Sequence, residues 1–341
     1  MPTSTIPPKA KPLPPGVYTP VVTLYKPPSP SDPSASQPVD LDAMRLHCRH
    51  LIAAGMHGLV YLGTNGELPL LTSAERHAII SMASETALAL KGPSYPVVAG
   101  ISAPSTHETI LNARSAASAG ASFALLLPPS YWPKSLSPDA LLQYYRDVAT
   151  SSPIPIVVYN FPAVTSGTDL DSDQIAALAE HPNIVAVKLT CGNLGKLTRL
   201  TSRFSPAQFG VFGGSSDYLL PTLRSGGSGC VTGLGNVFPA SVARGVYDSW
   251  ARSTENGGQE ETASAREATK RAQDAVANSE WACKKGLAMT KYGAWHFVGK
   301  GLGLDEAAFE MRRPYGPLGD AQKRWALETL GVLEGIEKEL S

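Results

Sequence analysis

The stretch IPIVVYNFPAVTSGTDLDSDQIAALAEHPNIVAVK, residues 154–188, carries the reading that decides the fold. A β-branched run (IPIVVY, 154–159) leads through a turn-rich segment into DSDQIAALAE, where Asp171 precedes apolar residues at helical spacing. A second β-branched run, IVAVK (184–188), follows. Two strands joined through one helix make a βαβ unit, so the strands lie parallel. Both runs are apolar at nearly every position rather than alternating, which places the sheet between two covered faces.

Outward from this unit the same alternation recurs, and eight units are counted. Strands are expected at 17–24, 58–62, 96–100, 123–127, 154–159, 184–188, 209–213 and 229–232, with helices at 40–54, 72–89, 104–119, 137–150, 171–180, 194–202, 216–224 and 238–252. Thr72 before SAER, with Glu75 three residues on, has the spacing of a capping box. Eight units close a (β/α)₈ TIM barrel in about 250 residues, which residues 16–252 supply. An open doubly wound sheet would need a GxGxxG turn after its first strand, and the turn after Leu24 is proline-rich instead. Residues 253–341 are left as a C-terminal helical appendage: a polar break (ENGGQE, 255–260), an Ala-rich helix near 260–279, and helical stretches near 281–291 and 320–339. Its expected role is packing or oligomerisation. Residues 1–38 hold 12 of the 29 prolines, so 1–15 is expected as a disordered Pro-rich arm and 27–38 as an irregular loop.

Composition narrows the function classes. Over 341 residues, 29 Lys+Arg balance 29 Asp+Glu, leaving no surplus cation to displace counterions from a nucleic acid. Charged residues are only 17 % of the chain, below the usual ~25 %, so part of the surface is expected to be neutral or covered by another subunit. Apolar runs such as Ala124–Pro129 are strand-sized, far short of the ~20 residues that span a bilayer, so no membrane partner is expected. Cys48, Cys191, Cys230 and Cys283 show no CxxC spacing and are expected as free thiols, and the seven histidines show no metal-site spacing. The first arginine is Arg45 and no apolar leader precedes it, which points to a cytoplasmic location.

In a barrel of this class, chemistry gathers at the C-terminal ends of the strands. That rule selects Thr64 and Asn65, Tyr131, Tyr159, Lys188 and the Gly213–Gly214 pair. Lys188 ends an apolar strand, where desolvation disfavours the ammonium and makes the amine a usable nucleophile toward a ketone; a lysine extending past the strand end to water is the alternative. Tyr159, at the end of the neighbouring strand, is placed to exchange protons with the resulting adduct, although a strand-end tyrosine is otherwise a packing residue. In GTNGE (63–67) two glycines surround small polar residues, a loop whose N–H groups can converge on a carboxylate, or equally an ordinary turn.

Taken together, GVYTPVVT (16–23), GTNGE (63–67), YNFP (159–162), VKLTCG (187–192) and RRPYGPL (312–318) resemble the dihydrodipicolinate synthase / N-acetylneuraminate lyase family of class I, pyruvate-dependent aldolases. The resemblance spans roughly residues 16–320 and implies a barrel with a C-terminal helical domain, a homotetramer, a small-molecule 2-oxo acid substrate and no cofactor. It implies the Schiff-base lysine at Lys188, the catalytic tyrosine at Tyr159, the relay hydroxyl at Thr64, and a second tyrosine, contributed to a neighbouring subunit, at Tyr131. Gly214 and Val231 are expected as pocket-lining positions, and Thr64 and Asn65 as the carboxylate-binding pair. Two departures guide the substrate. Dihydrodipicolinate synthases carry a carboxylate-binding arginine five residues after the tyrosine, where this chain has Val164. Asn65 and the run KLTCGNLGKLTRL (188–200) are similar to 4-hydroxy-2-oxoglutarate aldolases and fungal 2-keto-3-deoxy-sugar-acid aldolases. The expected activity is cleavage of a 2-oxo-3-deoxy-4-hydroxy acid, such as L-threo-3-deoxy-hexulosonate or 4-hydroxy-2-oxoglutarate, to pyruvate and an aldehyde. The alternatives are a dihydrodipicolinate synthase-like condensation of pyruvate with aspartate semialdehyde, and a barrel that binds oxo acids without turnover.

Overall fold

The structure, a computed structural model, describes residues 9–27, 37–255 and 263–341. Residues 1–8 of the expected arm, most of the 27–38 loop and most of the polar break lie outside the described residues. Eight parallel strands close a barrel in chain order: β1 (Gly16–Pro20), β2 (Gly58–Tyr61), β3 (Val97–Gly100), β4 (Phe123–Leu126), β5 (Ile156–Asn160), β6 (Ile184–Leu189), β7 (Gly210–Gly213) and β8 (Gly229–Val231). Closure is made by β8 against β1, with Val17 beside Cys230 and Tyr18 beside Val231.

Helices α1 (Leu41–Ala53), α2 (Ser73–Lys91), α3 (Thr106–Ser118), α4 (Pro138–Ser151), α5 (Ser172–Ala179), α6 (Leu194–Thr201) and α7 (Leu219–Arg224) return the chain between strands. The eighth unit runs through a π-helical stretch, Ser241–Asp248, into α8 (Ser249–Glu255). Both expected N-terminal signals form: Thr72 and Glu75 make a capping box on α2, and Asp171 and Gln174 make one on α5. After the barrel come α9 (Ala263–Lys284), α10 (Leu287–Phe297), α11 (Asp320–Leu330) and α12 (Glu334–Leu340). Among the described residues no helix is long and apolar enough to cross a membrane, and no group of three or more His, Cys, Asp or Glu could hold a metal ion. All four cysteines are free.

The apolar side chains sort into two cores, as strands covered on both faces require. One lies between the strands and the surrounding helices; the other fills the barrel interior with Tyr18, Val60, Val98, Leu125, Val157 and Phe212 among its members. The interior core also takes in Leu13, so residues 9–15, the described part of the expected disordered arm, are packed instead. Residues 9–15 pack across the N-terminal end of the barrel, where Ala10 N–H donates to Pro182 O at 2.9 Å and Tyr18 OH donates to Pro14 O at 2.7 Å. Burying Leu13 to 1 % exposure contributes roughly 1.5–3 kcal/mol of transfer free energy against the entropy of ordering a segment already stiffened by proline.

Candidate active site

Register brings the two sharpest candidates together. Tyr159 on β5 pairs directly with Lys188 on β6, both at strand ends, so the side chains emerge side by side at the C-terminal mouth. Lys188 is 4 % exposed and its Nζ lies over the Tyr159 ring, 4.1 Å from the centroid. Among the described residues no carboxylate pairs with it. Its sequence explains the burial, since four apolar residues, Ile184 to Val187, precede it on a strand with no exposed position.

The third member arrives from the loop after β2. Thr64 Oγ1 stands 3.2 Å from the Tyr159 hydroxyl, within hydrogen-bond reach. The GTNGE loop is tightly wound: Leu62 and Glu67 at its two ends adopt left-handed backbone conformations, φ +58° and +53°, although neither is glycine. Such residues cost about 1–3 kcal/mol each and persist only where the surroundings hold them. Gly100 on β3 permits the loop's approach, because a side-chain carbon there would fall 1.8 Å from Leu62 O. The Thr64 and Asn65 N–H groups donate to no protein acceptor among the described residues, so the loop keeps two donors for a ligand anion.

Other expected residues are dispersed. The Asn65 amide turns toward the loop after β8, with Nδ2 3.0 Å from where a Gly233 side chain would begin. Gly214 is a glycine because a side-chain carbon there would meet Thr190 Oγ1 at 2.1 Å; it supports the segment just beyond Lys188. Val231 is 3 % exposed within the barrel interior beside Phe212. Tyr131 is 76 % exposed, packed edge-on against Trp132 at 4.8 Å, and makes no hydrogen bond to Tyr159 within one chain. It nevertheless lines the same cleft of about 590 Å³ as Thr64 and Tyr159. Val164 lines this cleft too, 39 % exposed.

Three groups escaped sequence reading. Arg76 of α2 lines the cleft, donates to Leu68 O at 3.2 Å, and has its pKa lowered by desolvation. Glu280 of α9 reaches the ends of β7 and β8, where it accepts from the Ser216 and Thr232 hydroxyls and from Ser216 N–H; burial pushes its carboxyl up. Glu67 is 3 % exposed and pairs with Lys291 of α10. Only the GTNGE glutamate carried a signal, and its partner lies 224 residues away.

Comparison with known proteins agrees with this architecture. The model of the dihydrodipicolinate synthetase family matches residues 24–327. A Coccidioides immitis protein provisionally named as a mitochondrial 4-hydroxy-2-oxoglutarate aldolase is 37 % identical over 330 residues, covering 96 % of this chain and 98 % of its own. The L-threo-3-deoxy-hexylosonate aldolase of Hypocrea jecorina is 38 % identical over 297 residues, covering 85 % and 88 %. A solved structure of a dihydrodipicolinate synthase family protein from C. immitis superposes with a TM-score of 0.82 at 35 % identity, covering 97 % and 99 %. The expected cytoplasmic location is corrected by the mitochondrial name of the first relative. Missing arginines and the lack of an apolar leader point away from a targeting segment, but residues 1–31 carry three lysines and no acidic residue.

Proposed function

This chain belongs to the dihydrodipicolinate synthetase family, and we propose that it is a class I aldolase that cleaves a 2-oxo-3-deoxy-4-hydroxy acid to pyruvate and an aldehyde. The observation that carries the assignment is the Lys188–Tyr159–Thr64 cluster: a buried amine 4.1 Å from the centroid of a tyrosine ring whose hydroxyl is 3.2 Å from a threonine hydroxyl.

In the mechanism this supports, Lys188 Nζ adds to C2 of the oxo acid, and water leaves as the carbinolamine becomes an iminium. Tyr159 supplies and retrieves the protons of that dehydration, with Thr64 as its relay. The iminium withdraws electrons as the 4-hydroxyl loses its proton and C3–C4 breaks. An aldehyde departs, and the enamine left behind is protonated at C3 and hydrolysed to pyruvate and free lysine. The free N–H groups of Thr64 and Asn65 hold the substrate carboxylate. We assign Tyr131 to the site of a neighbouring protomer in a homotetramer, in keeping with its exposed position at the rim of the cleft, and a mitochondrial location in keeping with the named relative.

Condensation with aspartate semialdehyde is the second reading, and Val164 weighs against it, because an alkyl side chain occupies the cleft wall where the resemblance expects a carboxylate-binding arginine. The test is incubation with pyruvate followed by borohydride reduction. A mass increment on the peptide holding Lys188 is expected, together with pyruvate release from 4-hydroxy-2-oxo acids in a lactate-dehydrogenase-coupled assay. An unmodified Lys188 peptide would sink the aldolase assignment; turnover with aspartate semialdehyde alone would replace it by the condensation.

A further inference from the structure

At the end of the catalytic loop, where Glu67 itself lines the cleft together with Leu287 and Met311, the C-terminal appendage reaches into the barrel domain. Lys291 of α10 is wholly buried, and its Nζ donates to three oxygens: Glu67 Oε1 at 2.6 Å, Thr23 O at 2.7 Å and Glu310 O at 2.8 Å. Every proton of the ammonium is thereby satisfied. The other carboxylate oxygen, Glu67 Oε2, accepts from Arg312 N–H at 3.1 Å. The Arg312 side chain extends the hold along the segment that follows, donating to Leu70 O at 2.6 Å and pairing with Glu75 at the start of α2. Tyr25 lies between the two cations, its ring centroid 4.7 Å from Lys291 Nζ and 4.8 Å from the Arg312 guanidinium.

The Glu67 carboxylate is therefore gripped by the appendage while its own backbone grips the catalytic residue, for Glu67 N–H donates to Thr64 O at 3.2 Å. Its left-handed conformation needs such a hold. Removing one partner of a buried ion pair leaves an uncompensated charge, so the pair resists being opened. Replacing both by apolar side chains would restore burial but not the directional contact that fixes the loop.

We propose that Glu67, Lys291 and Arg312 are positioning residues: through them the C-terminal appendage, by α10 and by the segment before α11, holds the GTNGE loop so that the Thr64 hydroxyl meets the Tyr159 hydroxyl, making the appendage part of the catalytic apparatus. This rests on the aldolase assignment, and it extends that assignment from the residues that touch substrate to those that place them.

A double-mutant cycle tests it. Steady-state kcat and KM are measured for wild type, Glu67→Gln, Thr64→Val and the double variant. Glu67→Gln is expected to lower kcat about 10- to 100-fold and to raise KM by a smaller factor, because the displaced loop carries both the relay hydroxyl and the N–H groups that hold the carboxylate. In the Thr64→Val background the same substitution is expected to change kcat less than about 2-fold, since the group it positions is already gone. Additive losses, or an unchanged kcat in a folded Glu67→Gln protein, overturn the proposal. A merely structural role would move stability and leave the two substitutions uncoupled. Should the buried variant fail to fold, Arg312→Lys, which keeps the backbone bond to Glu67 and gives up the forked side-chain grip, goes through the same cycle with the same two outcomes. Borohydride trapping of pyruvate on wild-type Lys188 separates the levels: no wild-type adduct removes the aldolase assignment and the clamp with it, whereas a normal adduct with additive cycle energies removes the clamp alone.

Discussion

At the scale of single residues, Tyr159 has two surfaces with different work. Its ring face lies against Lys188 Nζ, and its hydroxyl meets Thr64. Phenylalanine preserves the first contact and deletes the second. Tyr159→Phe is accordingly expected to keep the fold and the melting temperature within a few degrees while lowering kcat at least ~100-fold, the usual scale for losing a general acid–base. A stopped-flow or coupled assay giving less than a tenfold loss would remove Tyr159 from the proton path. The strand-end positions of Lys188 and Tyr159 were legible in the sequence because they follow from the apolar runs IVVY and IVAVK, and each strand runs only one residue further. Lys291 was not: in LAMTKYGAWHF it looks like an ordinary helix lysine, and its burial depends on a carboxylate that only the folded chain brings near.

At the scale of elements, the strands and most helices could be read from period and caps, since those signals are local. What escaped were features decided by distant partners. Residues 9–15 have the composition of a free polyproline arm until Leu13 finds the end of the barrel. The long appendage helix was expected to stop near 279 but continues to Lys284, because its last turns carry Glu280 onto the ends of β7 and β8. That contact makes a sharp prediction. Glu280→Leu strips the acceptor from two hydroxyls and one N–H, all at buried residues, and is expected to lower the unfolding free energy by about 3 kcal/mol in urea titration, whereas Glu280→Gln, which keeps an acceptor oxygen, loses less than half of that. Equal losses would mean that shape alone, not the hydrogen-bonded carboxyl, locks α9 in place.

At the scale of the whole molecule, one contribution to stability against acid comes from a group that no motif announced. His47 of α1 is fully buried, and desolvation lowers its pKa from 6.5 to about 4. Its partner fixes its tautomer. Asn236 donates its amide protons to Pro20 O and Gly233 O, so Asn236 Oδ1 must be the acceptor, and His47 Nε2 carries the proton it receives at 3.2 Å. The ring therefore stays neutral in the native protein while the same histidine in the unfolded chain takes up a proton below pH 6.5. Between pH 6.5 and about 4 the unfolded state binds more protons, so stability rises with pH across that window and is lost as pH falls through it; above 6.5 this group contributes no slope. The gap of 2.5 between the two values corresponds to about 3 kcal/mol at the acid end. His50, His181 and His296, also lowered by desolvation, add slope of the same sign, so a comparison of variants is required. His47→Gln can still donate to Asn236 and cannot titrate. Its unfolding free energy, followed from pH 7 to pH 4, is expected to fall less steeply than that of wild type, and the two curves should converge or cross toward the acid end. Parallel curves over that range would show that His47 is not the group whose protonation opens the barrel.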